Sequence, residues 1–281
     1  MFVGTIVLGL VYLLSAMVLF VVGKFLFDFT HRGFGLKEQL IERDNLAFAL
    51  TLGGYMLGLT IALGGAMSGP PISLTVNLID IFLYGAIAMV LLNASVWIND
   101  RLILHRFSGV KEILQDQNCG VGAIEAANSV AVGLVIYGTL AAGGHVLEVL
   151  AFWALGQATL IASAKVYNWM APFDVYDALE KDNVAVGVAF AGMLLGIGNI
   201  VRFAAQGTFV SWSQNIAFFV SVAAFGLVVL PAARVLADRI LLPGGRLTDE
   251  LVHQVKPNIG VGVMEAVVYV AMSFLIGWSI K

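Results

Sequence analysis

Two glutamates lie inside stretches that are otherwise apolar. The segment "CGVGAIEAAN" (Cys119–Asn128) contains Glu125, and "IGVGVMEAVV" (Ile259–Val268) contains Glu265. Each glutamate follows an asparagine by seven residues, which on a helix places it roughly 10 Å further along the axis. A charge at that depth in a bilayer costs at least ~2 kcal/mol and usually faces a bundle interior or a wet cavity. Two interpretations are open: a cytosol-facing site that binds a cation or relays protons, or neutral glutamates that join helices through hydrogen bonds.

The residues before the two glutamates repeat as well. Asn118 and Gly122 precede Glu125, and Asn258 and Gly262 precede Glu265 at the same spacing. A glycine three residues before the acid lies on the same helix face and permits close approach by another helix or a ligand. Because each copy supplies one acid, we expect the two to contribute to a shared central site.

The composition requires a membrane. Of the 281 residues, 60% are hydrophobic and 12% charged, whereas a soluble domain carries about 25% charged residues. Apolar stretches of about 20 residues can cross a bilayer, and in lipid each must be a helix. The sequence therefore predicts an all-α polytopic membrane protein with eight spans, at 3–27, 44–66, 75–98, 120–142, 146–170, 183–204, 213–238 and 259–280.

Reactive groups of other kinds are sparse. The single cysteine excludes an intrachain disulfide and a cysteine-based metal cluster. All four histidines fall outside the predicted helix cores, which argues against an integral haem. We predict no cofactor, no metal and no nucleic-acid partner.

A longer internal repeat contains these motifs. Sliding the chain by 138 positions places Arg43–Gly58 on Lys181–Gly196, and the Asp-Arg pair at 100 and 101 on that at 238 and 239. Each half has four spans, and an even number of spans keeps both halves in the same orientation. We expect two parallel four-helix repeats, at residues 1–143 and 144–281.

Positive charge predicts the orientation. Of the 15 Lys and Arg residues, only Arg202 and Lys281 lie outside the first, third, fifth and seventh connections and their flanking helix ends. The positive-inside rule places these four connections in the cytoplasm and both termini outside.

Further polar residues occur at the predicted helix ends. Asp44-Asn45 and Asp182-Asn183 are typical of helix N-caps, with the aspartate oxygen accepting from free N–H groups. The Asp-Arg pairs are typical of interfacial anchors.

Asp80 and Arg202 break the symmetry of the halves and lie at similar depth. An ion pair between them would join the halves. Alternatively, Arg202 snorkels outward and Asp80 meets a small cavity or a partner subunit.

The repeated motifs resemble a known family. The Asp-Asn start of a glycine-bearing helix, the Asp-Arg pair and the Asn-x-Gly-x-Gly-x-x-Glu-Ala opening of the last helix are similar to the bacterial YjfL-like membrane proteins. That family is also called domain of unknown function 350, here in tandem copies. The resemblance implies a bacterial inner-membrane protein associated with envelope stress and membrane remodelling, without a settled activity.

Three function classes follow from these features. The resemblance favours an envelope-homeostasis protein with a proton- or cation-linked site, whose partners would be the lipid bilayer, a cytosolic membrane-remodelling protein and a second copy of the chain. The repeated acids favour an ion or small-solute transporter with Glu125 and Glu265 in the pathway. An intramembrane enzyme is the least favoured class.

Overall fold

Eight long helices make up most of the chain. The computed structural model describes residues 2–31, 35–69, 72–241 and 244–280, so Arg32 and Lys281, which entered the orientation argument, lie outside the described residues. The long helices are α1 (Phe2–Thr30), α2 (Leu46–Met67), α3 (Leu74–Ile98), α5 (Cys119–Ala141), α6 (Val146–Met170), α8 (Val184–Ala205), α9 (Trp212–Leu241) and α11 (Ile259–Ser279). All eight are long and apolar enough to cross a membrane, which confirms the predicted spans.

Short helical segments lie in the odd-numbered connections. They are a π-helical turn at Glu38–Glu42, a second at Asn99–Ile103 that continues α3, and the helices α4 (Gly109–Leu114), α7 (Val175–Glu180) and α10 (Leu247–Val252). Because these connections also hold most of the charges, we call this end of the molecule the polar end.

The long helices pack in two layers. The inner layer is a row in the order α2, α5, α8, α11, in which each helix contacts the next along its length. The outer layer is the row α1, α3, α6, α9, and each outer helix after α1 packs against two neighbouring inner helices. Since one crossing helix separates consecutive inner helices, all four inner helices start at the polar end and are parallel.

Small residues allow the inner helices to approach closely. A β-carbon added to Gly122 would overlap the backbone of Ala47, and one added to Gly262 would overlap that of Ala185. Gly120 and Gly187 meet in the same way between α5 and α8. In every case, the residue two positions after the capping asparagine of one inner helix meets the residue four positions after the capping asparagine of the next inner helix. The step from one inner helix to the next is therefore the same three times.

The two predicted repeats are present, and each contains a finer one. A unit consists of an outer helix, a short helical segment and an inner helix opened by an asparagine, and the described residues form four such units. The capping asparagines are Asn45, Asn118, Asn183 and Asn258. The finer repeat is hidden in the sequence because only the asparagine and a few small residues recur at matching positions.

The predicted capping role of Asp44 and Asp182 is wrong. The side chain of Asn45 accepts from Phe48 N at 3.0 Å, and that of Asn183 accepts from Val186 N at 3.1 Å. The aspartates precede the caps with φ of 49° and 56°, left-handed values that short polar side chains tolerate best. Their position turns the chain into the helix, while the asparagine satisfies the free N–H groups.

Candidate functional site

Glu125 is buried in the first half near the polar end. It lies on α5 and is 2% exposed. Asn99, in the π-helical turn after α3, donates from Nδ2 to Glu125 Oε1 at 2.7 Å. The other carboxyl oxygen of Glu125 has no hydrogen-bond donor among the described residues, nor does Oδ1 of the fully buried Asn99.

Asp100 lies close to Glu125, so two carboxyl groups approach each other beside Gly109. They are close enough for a side-chain hydrogen bond, which requires a proton on one of them. Gly109, the first residue of α4, lies over both groups: a β-carbon added there would be 2.5 Å from Asp100 Oδ1 and 3.8 Å from Glu125 Oε1. The sequence prediction of an interfacial anchor fits Arg101, whose guanidinium lies 4.2 Å from the Trp97 ring centroid, but not Asp100, which turns inward.

A histidine, His31, neighbours Asp100 of this carboxyl pair. It follows α1, interacts electrostatically with Asp100, and stacks on Phe27 with ring centroids 4.1 Å apart. Burial lowers the pKa of His31, against smaller opposing effects of its hydrogen bond to the Phe27 carbonyl and of the nearby aspartates. The residue is half-buried, so water reaches part of it.

Glu265 is equally buried but has a cationic partner. Arg234 on α9 donates from Nε to Glu265 Oε1 at 2.7 Å. The hydroxyl groups of Tyr167 and Tyr269 donate to the same oxygen at 3.3 and 3.1 Å. A small cavity of about 20 Å³ beside Arg234 and the two tyrosines is large enough for one water molecule.

The two glutamates do not form the expected shared site, because their partners come from different helices. Under the repeat, Arg234 takes the place of Val96, and Tyr269 that of Ser129. Arg234 was not predicted as a partner because it lies near the end of a predicted span, where a positive charge is typical of the cytoplasmic side. The substitution of valine by arginine at equivalent positions was the signal that could have revealed it.

The predicted ion pair between Asp80 and Arg202 is wrong. Arg202 donates from Nε to Asn199 Oδ1 at 3.0 Å and lies over the Phe203 ring at 4.1 Å. Neither residue takes part in a salt bridge of the described part of the chain. Asp80 instead lines a cavity of about 320 Å³ at the end opposite the polar end, with Asn77, Tyr84 and His145 among its walls.

The asparagines cap their helices and also connect neighbouring units. Besides its own cap bonds, Asn45 donates from Nδ2 to Ile113 O at 2.7 Å, Asn118 to Leu179 O at 2.7 Å and Asn183 to Leu251 O at 2.8 Å. Each acceptor lies in the short helix of the following unit. Asn258, in the last unit, donates to its own unit's Glu250 Oε2 at 2.9 Å.

Glu112 is a third buried acid, in the short helix α4. Asn118 donates from Nδ2 to Glu112 Oε2 at 3.1 Å, and the residue is 3% exposed. Burial raises the pKa of Glu112, and the hydrogen bond from Asn118 opposes that rise. Among the described residues no three His, Cys, Asp or Glu side chains are grouped so as to hold a metal ion.

Comparisons with known proteins agree with the tandem architecture. The chain is 22% identical over 136 residues to the UPF0719 transmembrane protein YshE of Bacillus subtilis (strain 168), a match that covers 48% of this chain and 95% of that protein. That relative therefore has the length of about one half of this chain. No solved structure matches. The family described as Domain of Unknown Function (DUF350) matches twice, at residues 1–140 and 142–280, and the chain belongs to this family.

Proposed function

We propose that this protein is a proton-linked inner-membrane protein whose Glu125–Asp100 carboxyl pair binds a proton from the cytoplasmic side. The observation that supports this proposal is the close approach of the partly buried Asp100 carboxyl group to the buried Glu125 carboxyl group beneath Gly109. Two carboxylates in contact repel each other strongly where the dielectric constant is low, so such a pair holds one proton between them. Asn99 fixes the geometry by donating to Glu125 at 2.7 Å.

The cytoplasmic side follows from the distribution of charge. The positive-inside rule places the polar end in the cytoplasm, and the pair lies near that end, with the half-buried His31 close to Asp100. An imidazole between water and a buried carboxyl group is well suited to pass protons, because its two nitrogens can accept and donate in turn.

Glu265 has a different part in this proposal. Its ion pair with Arg234 at 2.7 Å supplies a permanent positive charge where the first half needs a proton. The charge of the second half then stays constant, while the protonation state of the first half changes. Proton binding belongs to one half only.

Infrared difference spectroscopy of the purified protein in lipid nanodiscs tests this proposal. Lowering the pH should increase the carbonyl absorption of a protonated carboxyl group in the wild type. Glu125→Gln and Asp100→Asn should each remove the part of that change that the pair contributes, and Glu265→Gln, the matched control at the equivalent position, should retain it. An unaltered band in Glu125→Gln would contradict the proposal. A band that responds to Na⁺ concentration at constant pH would also contradict it and would show that the pair binds a cation.

A transport function is the second candidate, and the cavity that contains Asp80 favours it. That cavity contains Asp80, Asn77 and His145 at the end opposite the carboxyl pair, so acidic groups lie near both ends of the bundle. Proteoliposomes that enclose a pH-sensitive dye would then acidify under an imposed gradient, and Glu125→Gln would abolish the flux. Equal flux in wild type, Glu125→Gln and empty liposomes would exclude this function. The envelope role implied by the family resemblance stays a prediction.

A further inference from the structure

The row of inner helices ends in two unlike edges. In the described part of the chain, α5 and α8 pack closely against an inner neighbour on both sides, whereas α2 and α11 do so on one side only. Under the four-unit repeat, α2 is equivalent to α8, and its free edge corresponds to the edge with which α8 contacts α5. In the same way, the free edge of α11 corresponds to the edge with which α5 contacts α8. The contact that joins the two halves thus has an unused copy of each of its two surfaces.

We propose that a second copy of this chain docks at these edges, with α11 of one protomer against α2 of the other, and so continues the row. The contact would repeat the α5–α8 step. Because it joins two different surfaces of the same chain, it is heterologous.

The residues at the two edges fit this step. In the α5–α8 contact Gly120 meets Gly187 and Ala131 meets Gly198, and all four are buried. The equivalent pairs between protomers are Gly260 with Ala49, and Ala271 with Thr60. Both edges thus keep small side chains at the positions where backbones must approach. In the single chain Gly260, Ala271 and Thr60 are exposed.

The capping asparagines give a second, independent indication. Asn45, Asn118 and Asn183 each donate across a unit boundary to a carbonyl of the next short helix. Within the described hydrogen bonds, Asn258 makes its own cap and the bond to Glu250 but crosses no boundary. The equivalent acceptor for it is the carbonyl of Leu40 in the first unit of another protomer.

The half-length relative is consistent with this arrangement. A protein with a single repeat, such as the relative whose sequence matches 48% of this chain, contains no counterpart of the α5–α8 contact unless a second protomer supplies it.

Disulfide trapping between two tagged copies tests the proposal. In a Cys119→Ser background, Ala49→Cys with one tag and Gly260→Cys with another are co-expressed, so that only a bond between protomers links the tags. We expect a mixed disulfide for this pair and none when Val90→Cys, at an exposed position of α3, replaces Ala49→Cys. Equally strong Ala49–Ala49 or Gly260–Gly260 bonds would contradict head-to-tail docking.

Steric block of the edge provides the second measurement. Ala271→Trp should weaken self-association in nanodiscs by roughly tenfold or more, because the indole overpacks an interface built for small side chains. Val90→Trp on the outer layer should leave association unchanged. Single-molecule photobleaching that counts one protomer per nanodisc for the wild type would overturn the proposal and assign the edges to lipid.

Discussion

Glu125 and Glu265 occupy equivalent positions but differ in how their charge is compensated. Glu265→Gln should destabilise the protein by about 3 kcal/mol, because it leaves the guanidinium of Arg234 buried without its anion. Glu125→Gln should change the stability by less than about 1 kcal/mol, because an amide replaces a carboxyl group of similar shape and can still accept from Asn99. Unfolding in detergent by graded addition of sodium dodecyl sulfate measures both values.

A double substitution provides the control for this prediction. Arg234→Gln combined with Glu265→Gln should recover much of the loss, since neither partner then carries an unpaired charge. If the loss of stability in the double variant equals the sum of the losses in the two single variants, the ion pair contributes no coupling energy.

Glu112 predicts a pH dependence of its own. Because burial raises its pKa in the folded state above the unfolded value of 4.5, the folded protein binds more protons than the unfolded one between these two pKa values. Its contribution to stability is therefore fully present below the unfolded pKa and is lost as the pH rises through the folded pKa. Glu112→Gln should remove this loss, so that thermal stability falls less steeply from acid to neutral pH than in the wild type. The same slope in both proteins would show that Glu112 is not responsible.

The capping asparagines of the first three units connect each inner helix to the short helix of the next unit. Asn118→Ala should cost about 2 kcal/mol, because it removes a helix cap and the hydrogen bond that connects two units inside one chain. Asn258→Ala should cost only about 1 kcal/mol, the value of the cap alone. Equal losses in monomeric, detergent-solubilised protein would contradict the connecting role of Asn118.

Elements were more predictable from the sequence than their contacts. The eight spans follow from apolar length, and the parallel halves follow from the match of Arg43–Gly58 with Lys181–Gly196. The burial of both glutamates follows from their depth beyond the capping asparagines. Their partners could not be predicted, because Arg234 lies where a span ends and Asp100 lies where a charge can reach water. The row of inner helices also escaped prediction, since glycine and alanine at close spacing pack in many ways.

We expect the contact between the halves to limit the stability of the whole molecule. Gly187→Leu should destabilise by more than about 3 kcal/mol or prevent insertion, because even a β-carbon there would overlap the backbone of Gly120. Gly53→Leu is the matched control on an inner helix, since a β-carbon there meets no atom within 4 Å. It should change the stability by less than about 1 kcal/mol. The fraction of protein that elutes as folded, monodisperse material reports both outcomes, and equal fractions would show that the α5–α8 step does not limit folding.

Each of the four units crosses the bilayer twice and returns to the side from which it started. A gene that gains or loses one such hairpin therefore keeps the sidedness of every other hairpin, and the new copy meets an edge that already has the right shape. Growth by duplication is then geometrically simple for this fold, since neither the insertion signal nor the packing surface has to be invented again. We expect hairpins to be the increments in which proteins of this architecture change length.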